Sequence, residues 1–184
     1  MLDAAKYLSV ESLPDGRRVE IRALNQDDQA EFVGAIDRMS AGSLYRRFFS
    51  VKRDFTPQDV ATFFNIDYNT HVALVAIVEE AGRPRIVGAG RYMITQPGRA
   101  EIAFAVIDQY QRQGIGKALM HHLAAIARQS GLSELFAEVL PDNVAMLKVF
   151  EKSGYEVAIQ RDLGVMTVII DLGNCDARSE RSEL

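Results

Sequence analysis

The sequence predicts an α/β fold of the α+β kind, with a mixed sheet of six or seven strands flanked by about four helices. Three observations lead there. Strand-like runs joined by short polar turns fill the middle of the chain, and the period then changes to a helix lying between two strands. Of 184 residues, 48% are hydrophobic, enough to bury one core.

Residues 1–16 show no period, and Pro14-Asp15-Gly16 reads as a turn, so an N-terminal extension is expected ahead of a domain at 17–172. Residues 18–24 alternate as a first strand. Asn25 suits the N-cap of a helix over 26–39, with Phe32, Ile36 and Met39 at helical spacing and Asp27, Asp28 and Glu31 in its first turn. Thr56 before Pro57 opens another helix through about residue 64. Between them lies Tyr45-Arg46-Arg47-Phe48-Phe49. Runs at 72–79, 86–94 and 101–107, separated by Gly/Pro turns, predict an antiparallel meander. Ile115, Leu119, Leu123 and Ile126 then mark a helix ending before Gly131, followed by a strand at 134–140 and a short helix at 144–151 closed by Gly154. Strand, helix, strand in that order favours a parallel crossover. Residues 155–160 and 165–171 form a last antiparallel pair, and the polar tail at 173–184 is expected to be mobile.

Composition narrows the function. Twenty-one basic against 25 acidic side chains give a net charge of -4, which opposes nucleic acid as a partner. The longest clean apolar run, 72–78, falls far short of the roughly 20 residues of a spanning helix, so no membrane partner is expected. The N-terminus lacks the basic and apolar regions of a secretory signal, and the lone Cys175 cannot form an internal disulfide, so a cytoplasmic protein is expected. One cysteine beside three histidines is poor material for a metal site, and none is expected.

Residues 100–123, AEIAFAVIDQYQRQGIGKALMHHL, carry the chemistry. Free backbone N–H groups at a helix start attract anions, and Gly114 and Gly116 let the backbone approach a ligand. A glycine turn entering a helix is also often purely structural. In the strand before it, alternation sets Ile102, Phe104 and Val106 on one face and Glu101, Ala103, Ala105 and Ile107 on the other. Burial of a carboxylate costs several kcal/mol unless it is partnered, and raises its pKa. Glu101 therefore reads either as an edge residue, in water or paired with Arg99 or Arg91, or as a general base beside a narrow slot.

This stretch resembles the acetyl-CoA-binding motif of the GNAT N-acyltransferases in Gln111-Arg112-Gln113-Gly114-Ile115-Gly116. Residues 141–155, PDNVAMLKVFEKSGY, are similar to the family's Asn-containing turn and helix. The resemblance covers about 18–172. Ala100-Glu101-Ile102 with Phe104 is similar to the catalytic strand of histone-type acetyltransferases, which implies Glu101 as the base. Ile21-Arg22-Ala23, the SLYRRFF stretch at 43–49 and the DYNTHVALVA stretch at 67–76 look like the catalytic domain of bacterial Pat-type protein lysine acetyltransferases.

What the resemblance implies is a GNAT fold using acetyl-CoA as acyl donor. The backbone of Ala105, Val106 and Ile107 would pair with the pantetheine arm, and the Gln111 to Gly116 loop would hold the pyrophosphate. Lys117 would add charge there or stand solvated, and Asn143 would bond the pantetheine arm, cap its helix, or both. Phe150 stands where many members have a tyrosine that protonates the departing thiolate. It reads as packing near the cofactor sulfur, leaving Tyr110, Tyr92 and Tyr155 as unranked substitutes. The implied acceptor is a protein lysine, with an acyl-CoA synthetase as the implied partner. A small amine is an alternative, as is acyl-CoA sensing without turnover. Monomer and homodimer both stay open.

Other groups read less sharply. Arg46, Arg47, Lys52 and Arg53 around Phe48 and Phe49 suit an acceptor surface or a solvated loop. His121 and His122 are adjacent on a helix and cannot chelate together. Asp67, Tyr68 and His71 read as a turn before a strand.

Overall fold

A computed structural model describes residues 3–49 and 54–173. Lys52, Arg53, Cys175 and the tail beyond Gly173 lie outside the described residues. An eight-stranded mixed sheet runs in the order β1-β2-β3-β4-β5-β6-β8-β7, from β1 (Leu8–Ser12), β2 (Arg18–Ala23), β3 (His71–Glu80), β4 (Arg83–Gln96), β5 (Arg99–Val106), β6 (Glu134–Val139), β7 (Glu156–Asp162) and β8 (Val165–Asp171). Among the described residues five α-helices accompany it: α1 (Gln29–Asp37), α2 (Ala41–Phe48), α3 (Pro57–Phe63), α4 (Ile115–Gln129) and α5 (Val144–Glu151). The architecture is the mixed α/β sheet anticipated, with one or two more strands and one more helix than expected.

β3 occupies a central position because its first eight residues are buried on both faces, which only a covered strand tolerates. β3 to β5 form the expected antiparallel meander, β2 pairs antiparallel with β3, and β5 pairs with β6 in parallel through the α4 crossover. α4 packs on one face with Leu119, Leu123 and Ile126 at 0 to 1% exposure. β4 makes its seat with glycine: a Cβ at Gly90 would stand 2.8 Å from Leu123 Cδ1 and 2.9 Å from Phe104 Cβ. On the opposite face Phe32, Phe48, Phe55 and Phe63 stack in edge and tilted pairs 5.2 to 5.9 Å apart.

Two elements were not anticipated. α2 begins at Ser40, whose side chain caps Ser43 N–H, and covers the Tyr45 to Phe48 stretch. β1 lies in the stretch read as an extension and pairs along its length with β2. His122 of α4 fastens it, with Nδ1 against the Tyr7 hydroxyl and Nε2 2.7 Å from Glu11 Oε1.

The feature that positions the site is a divergence. Arg99, Ala100 and Glu101 of β5 pair with Glu134, Leu135 and Phe136 of β6, and then the strands part. Beyond Glu101, the side of β5 that faces β6 has no strand to bond. Among the described residues no helix is long and apolar enough to cross a membrane.

Candidate active site

The divergence opens a cleft of about 850 Å³ between β5, β6, the start of α4, α2 and α5. Ten of the thirteen residues singled out from the sequence line it: Glu101, Ala105, Val106, Gln111, Arg112, Gly114, Gly116, Lys117, Asn143 and Phe150. Ile107, Gln113 and Ile115 do not. Ile107 is buried and its N–H already donates to Val87 O at 2.9 Å, Ile115 packs into the core at 1% exposure, and Gln113 bonds Arg17 and Gln109 instead.

The loop before α4 is shaped by two positive φ angles, 61° at Arg112 and 95° at Gly114, the N-cap. Alternating handedness turns successive N–H groups toward one point, the geometry of an anion nest, and the dipole of a 15-residue helix adds to it. Gly114 is needed for its backbone angle, since a Cβ there would face Pro14 Cδ at 3.5 Å. The Gln111 side chain bonds the loop to its surroundings, donating to Val106 O at 3.0 Å and Ser43 Oγ at 3.1 Å. The Val106 carbonyl is therefore partly committed before any ligand arrives.

Charge supports the same ligand class. The chain as a whole is acidic, yet the cleft is lined by Arg46, Arg47, Arg112, Lys117, Lys148 and Lys152 against Glu101, Glu138 and Asp142. Such a surplus suits a multiply phosphorylated ligand. Arg46 and Asp142 approach to 3.5 Å, linking α2 to the loop before α5. Asn143 caps α5 by accepting from Met146 N–H at 3.3 Å while lining the cleft, so both of its sequence readings are compatible.

Glu101 is exposed, as the edge reading had it, and is not a base whose pKa burial would raise: it stands where β5 and β6 part, opposite Met93 and Phe136. Arg99 does not hold it, being paired with Glu134 at 2.7 Å. Arg47 and Arg91, both half-buried, feel its charge. The Arg47 guanidinium is pushed down to about 10, chiefly by burial and further by the Arg91 cation, with Glu101 acting the other way. Burial likewise lowers Arg91, against the pull of Glu101.

Phe150, 1% exposed and 5.5 Å from the Phe104 ring, forms cleft floor. None of the three candidate tyrosines lines the cleft. Tyr92 is fully buried on the α4 face, Tyr110 donates to Glu80 Oε1 at 3.0 Å, and Tyr155 packs against the core. Asp67 is a turn anchor, accepting from Thr70 Oγ1 at 2.6 Å and from the His71, Asn69 and Thr70 amides, which hold it well below the usual carboxylate range. Sequence reasoning missed Ser43, which bridges Gln111 and Asp108. Only recognition of α2 would have exposed it. Among the described residues no group of His, Cys, Asp or Glu is arranged to hold a metal.

The chain has counterparts among known proteins. Over 138 residues, 74% of each chain, the sequence is 36% identical to Acetyltransferase PA5475 of Pseudomonas aeruginosa. Over 147 residues, 79% of this chain and 43% of the relative, it is 34% identical to Acetyltransferase Pat of Mycolicibacterium smegmatis. The crystal structure of the GNAT domain of S. lividans PAT superposes with a TM-score of 0.80 at 32% identity, covering 89% of this chain and 96% of that one. Residues 38–155, which hold the diverging strands, the anion loop and α5, match the profile of the Acetyltransferase (GNAT) family, and the chain belongs to it.

Proposed function

We propose that the chain transfers an acetyl group from acetyl-CoA to the side-chain amine of a protein lysine by direct attack, with Glu101 as the base. The observation that carries this reading is the exposure of Glu101 at the mouth of a basic cleft, where a long side chain borne on another protein can reach it. The resemblance of the N-terminal half to Pat-type enzymes and the 34% identity to Pat support the lysine acceptor.

The residues fit the donor. The Arg112 to Gly116 amides and Lys117 answer the pyrophosphate, the unpaired side of β5 answers an extended amide-bearing arm, and Phe104 and Phe150 floor the cleft beneath it. Bound acetyl-CoA supplies an activated acyl carbon whose bond to sulfur breaks as the new bond to nitrogen forms. Glu101 does the rest of the proton work. A lysine amine, with its ordinary pKa near 10.4, costs about 4.6 kcal/mol to present neutral at pH 7, so a carboxylate in reach of the ammonium lowers the barrier. Among the described residues no tyrosine lines the cleft to protonate the departing thiolate, and water takes that role.

The test compares Glu101→Gln with the parent. Acetyl-CoA titration is expected to keep its affinity, while turnover on a panel of acyl-CoA synthetases falls by about 10²-fold or more. Equal rates across pH would remove Glu101 from the chemistry. Transfer to small amines alone would replace the protein acceptor, and binding without any transfer would leave an acyl-CoA sensor.

A further inference from the structure

On the α1 to α3 side of the sheet lies a second cavity of about 80 Å³, whose floor is set by strand register. Ala73 of β3, Arg91 of β4 and Ala103 of β5 stand directly opposite one another, and the next row on that face is Val75, Ala89 and Ala105. Alanines on three sides leave open the space that larger neighbours of Arg91 would fill. Met39, Arg47 and Phe48 close it from above. The cavity and the cleft share Met39, Arg47, Ala103 and Ala105, so the smaller space branches from the larger beside the middle of β5. Glu101 lines the cleft alone. An acceptor amine that reaches the base therefore has no need of the side chamber.

The chamber is apolar except for two guanidinium groups. Arg47 lies over the Phe48 ring at 4.9 Å, and the carboxylate that acts on both arginines is Glu101. Two cations against one anion leave positive charge in excess in a half-buried site, a costly arrangement unless an anion completes it.

We propose that this chamber is an acyl subsite which takes, besides acetyl, a short acyl chain ending in a carboxylate, of the malonyl or succinyl type. The inference rests on the reading above that the amide-bearing arm of the donor lies along β5, which brings its acyl end beside the middle of that strand. The size agrees: about 80 Å³ is several times the roughly 10–15 Å³ that a single water needs, and a succinyl group carries two methylenes and a carboxylate beyond its acyl carbon. The planar carboxylate matches the fork of Arg91 and can share Arg47. A neutral alkyl tail of equal length would strip water from both cations and return nothing. The transfer itself is unchanged: the amide bond forms, the carbon–sulfur bond breaks, Glu101 receives the ammonium proton, and the tail carboxylate is a spectator.

Calorimetric titration of the full chain with acetyl-CoA, butyryl-CoA and succinyl-CoA tests this without knowledge of the acceptor. Succinyl-CoA is expected to bind about tenfold more tightly than butyryl-CoA, its neutral four-carbon counterpart. In Arg91→Gln that ratio is expected to fall to near one, and a ratio is insensitive to a general loss of affinity. Ala89→Leu fills the chamber with both cations in place and is expected to weaken both four-carbon ligands relative to acetyl-CoA. Butyryl-CoA binding as well as or better than succinyl-CoA, or a ratio that survives Arg91→Gln, overturns the carboxylate subsite while leaving acetyl transfer standing. Failure of acetyl-CoA itself to bind overturns both.

Discussion

Gly114 is held at a φ of 95° at the start of α4, a conformation that costs a residue with a Cβ roughly 1–2 kcal/mol. Gly114→Ala is expected to lower stability by about 1 kcal/mol and to weaken acetyl-CoA binding, since relaxation of the angle turns the loop amides away from their common point. Thermal unfolding and calorimetric titration check the two effects separately. At Gly116 the added Cβ would lie 3.5 to 3.8 Å from Val149, Phe104 and Val106, ordinary contact distances, so Gly116→Ala is expected to cost the fold much less. Both glycines were legible in the sequence, but the difference between them was not: one is set by a backbone angle, and the other has room for a Cβ in the fold. Glu101 likewise was legible by its position in the strand. Which of its two readings holds, at the edge in water or beside a narrow slot, was not, because that follows from β6 turning away after Phe136.

α2 is tied to the site through one carboxylate. Asp108, just past β5, accepts from Ser40 N–H at 2.9 Å, Ser40 Oγ at 2.6 Å and Ser43 Oγ at 2.8 Å. Partial burial pushes its carboxyl upward, but these hydrogen bonds outweigh it and hold the group below its ordinary value. A depressed folded value means that the stabilisation is present above the unfolded carboxylate range and is lost as pH falls through the folded value. α2 is therefore expected to loosen below about pH 4, and Asp108→Ala to loosen it at neutral pH by about 1 kcal/mol, seen as faster hydrogen exchange over 41–48. The helix escaped sequence reading because only Leu44 and Ser43 of its eight residues are buried, too few to set a period. β1 escaped for a related reason: Leu8 and Val10 are 61% and 46% exposed, so the strand has no buried face to alternate against.

At the scale of the molecule, the meander and the parallel crossover were readable because each joins neighbours in sequence. The insertion of β8 between β6 and β7 was not, since it depends on which edge the last hairpin presents to β6. The fastening of β1 across 111 residues, from Glu11 to His122, is equally non-local. His122→Ala removes both its partners in one step and is expected to cost about 2 kcal/mol, with β1 released from β2 while acetyl-CoA affinity stays near that of the parent. Denaturant unfolding and exchange over 8–12 read the outcome.

The sheet is a single object only through the three pairs that join β5 to β6. On either side of that seam stands a well-bonded block, five strands in one and three in the other. An extended ligand seated between them acts as a stitch along an otherwise open seam, so occupancy should stiffen the whole chain. Amides of β6 and β8, far from the phosphates, are then the ones expected to gain protection when the cleft fills.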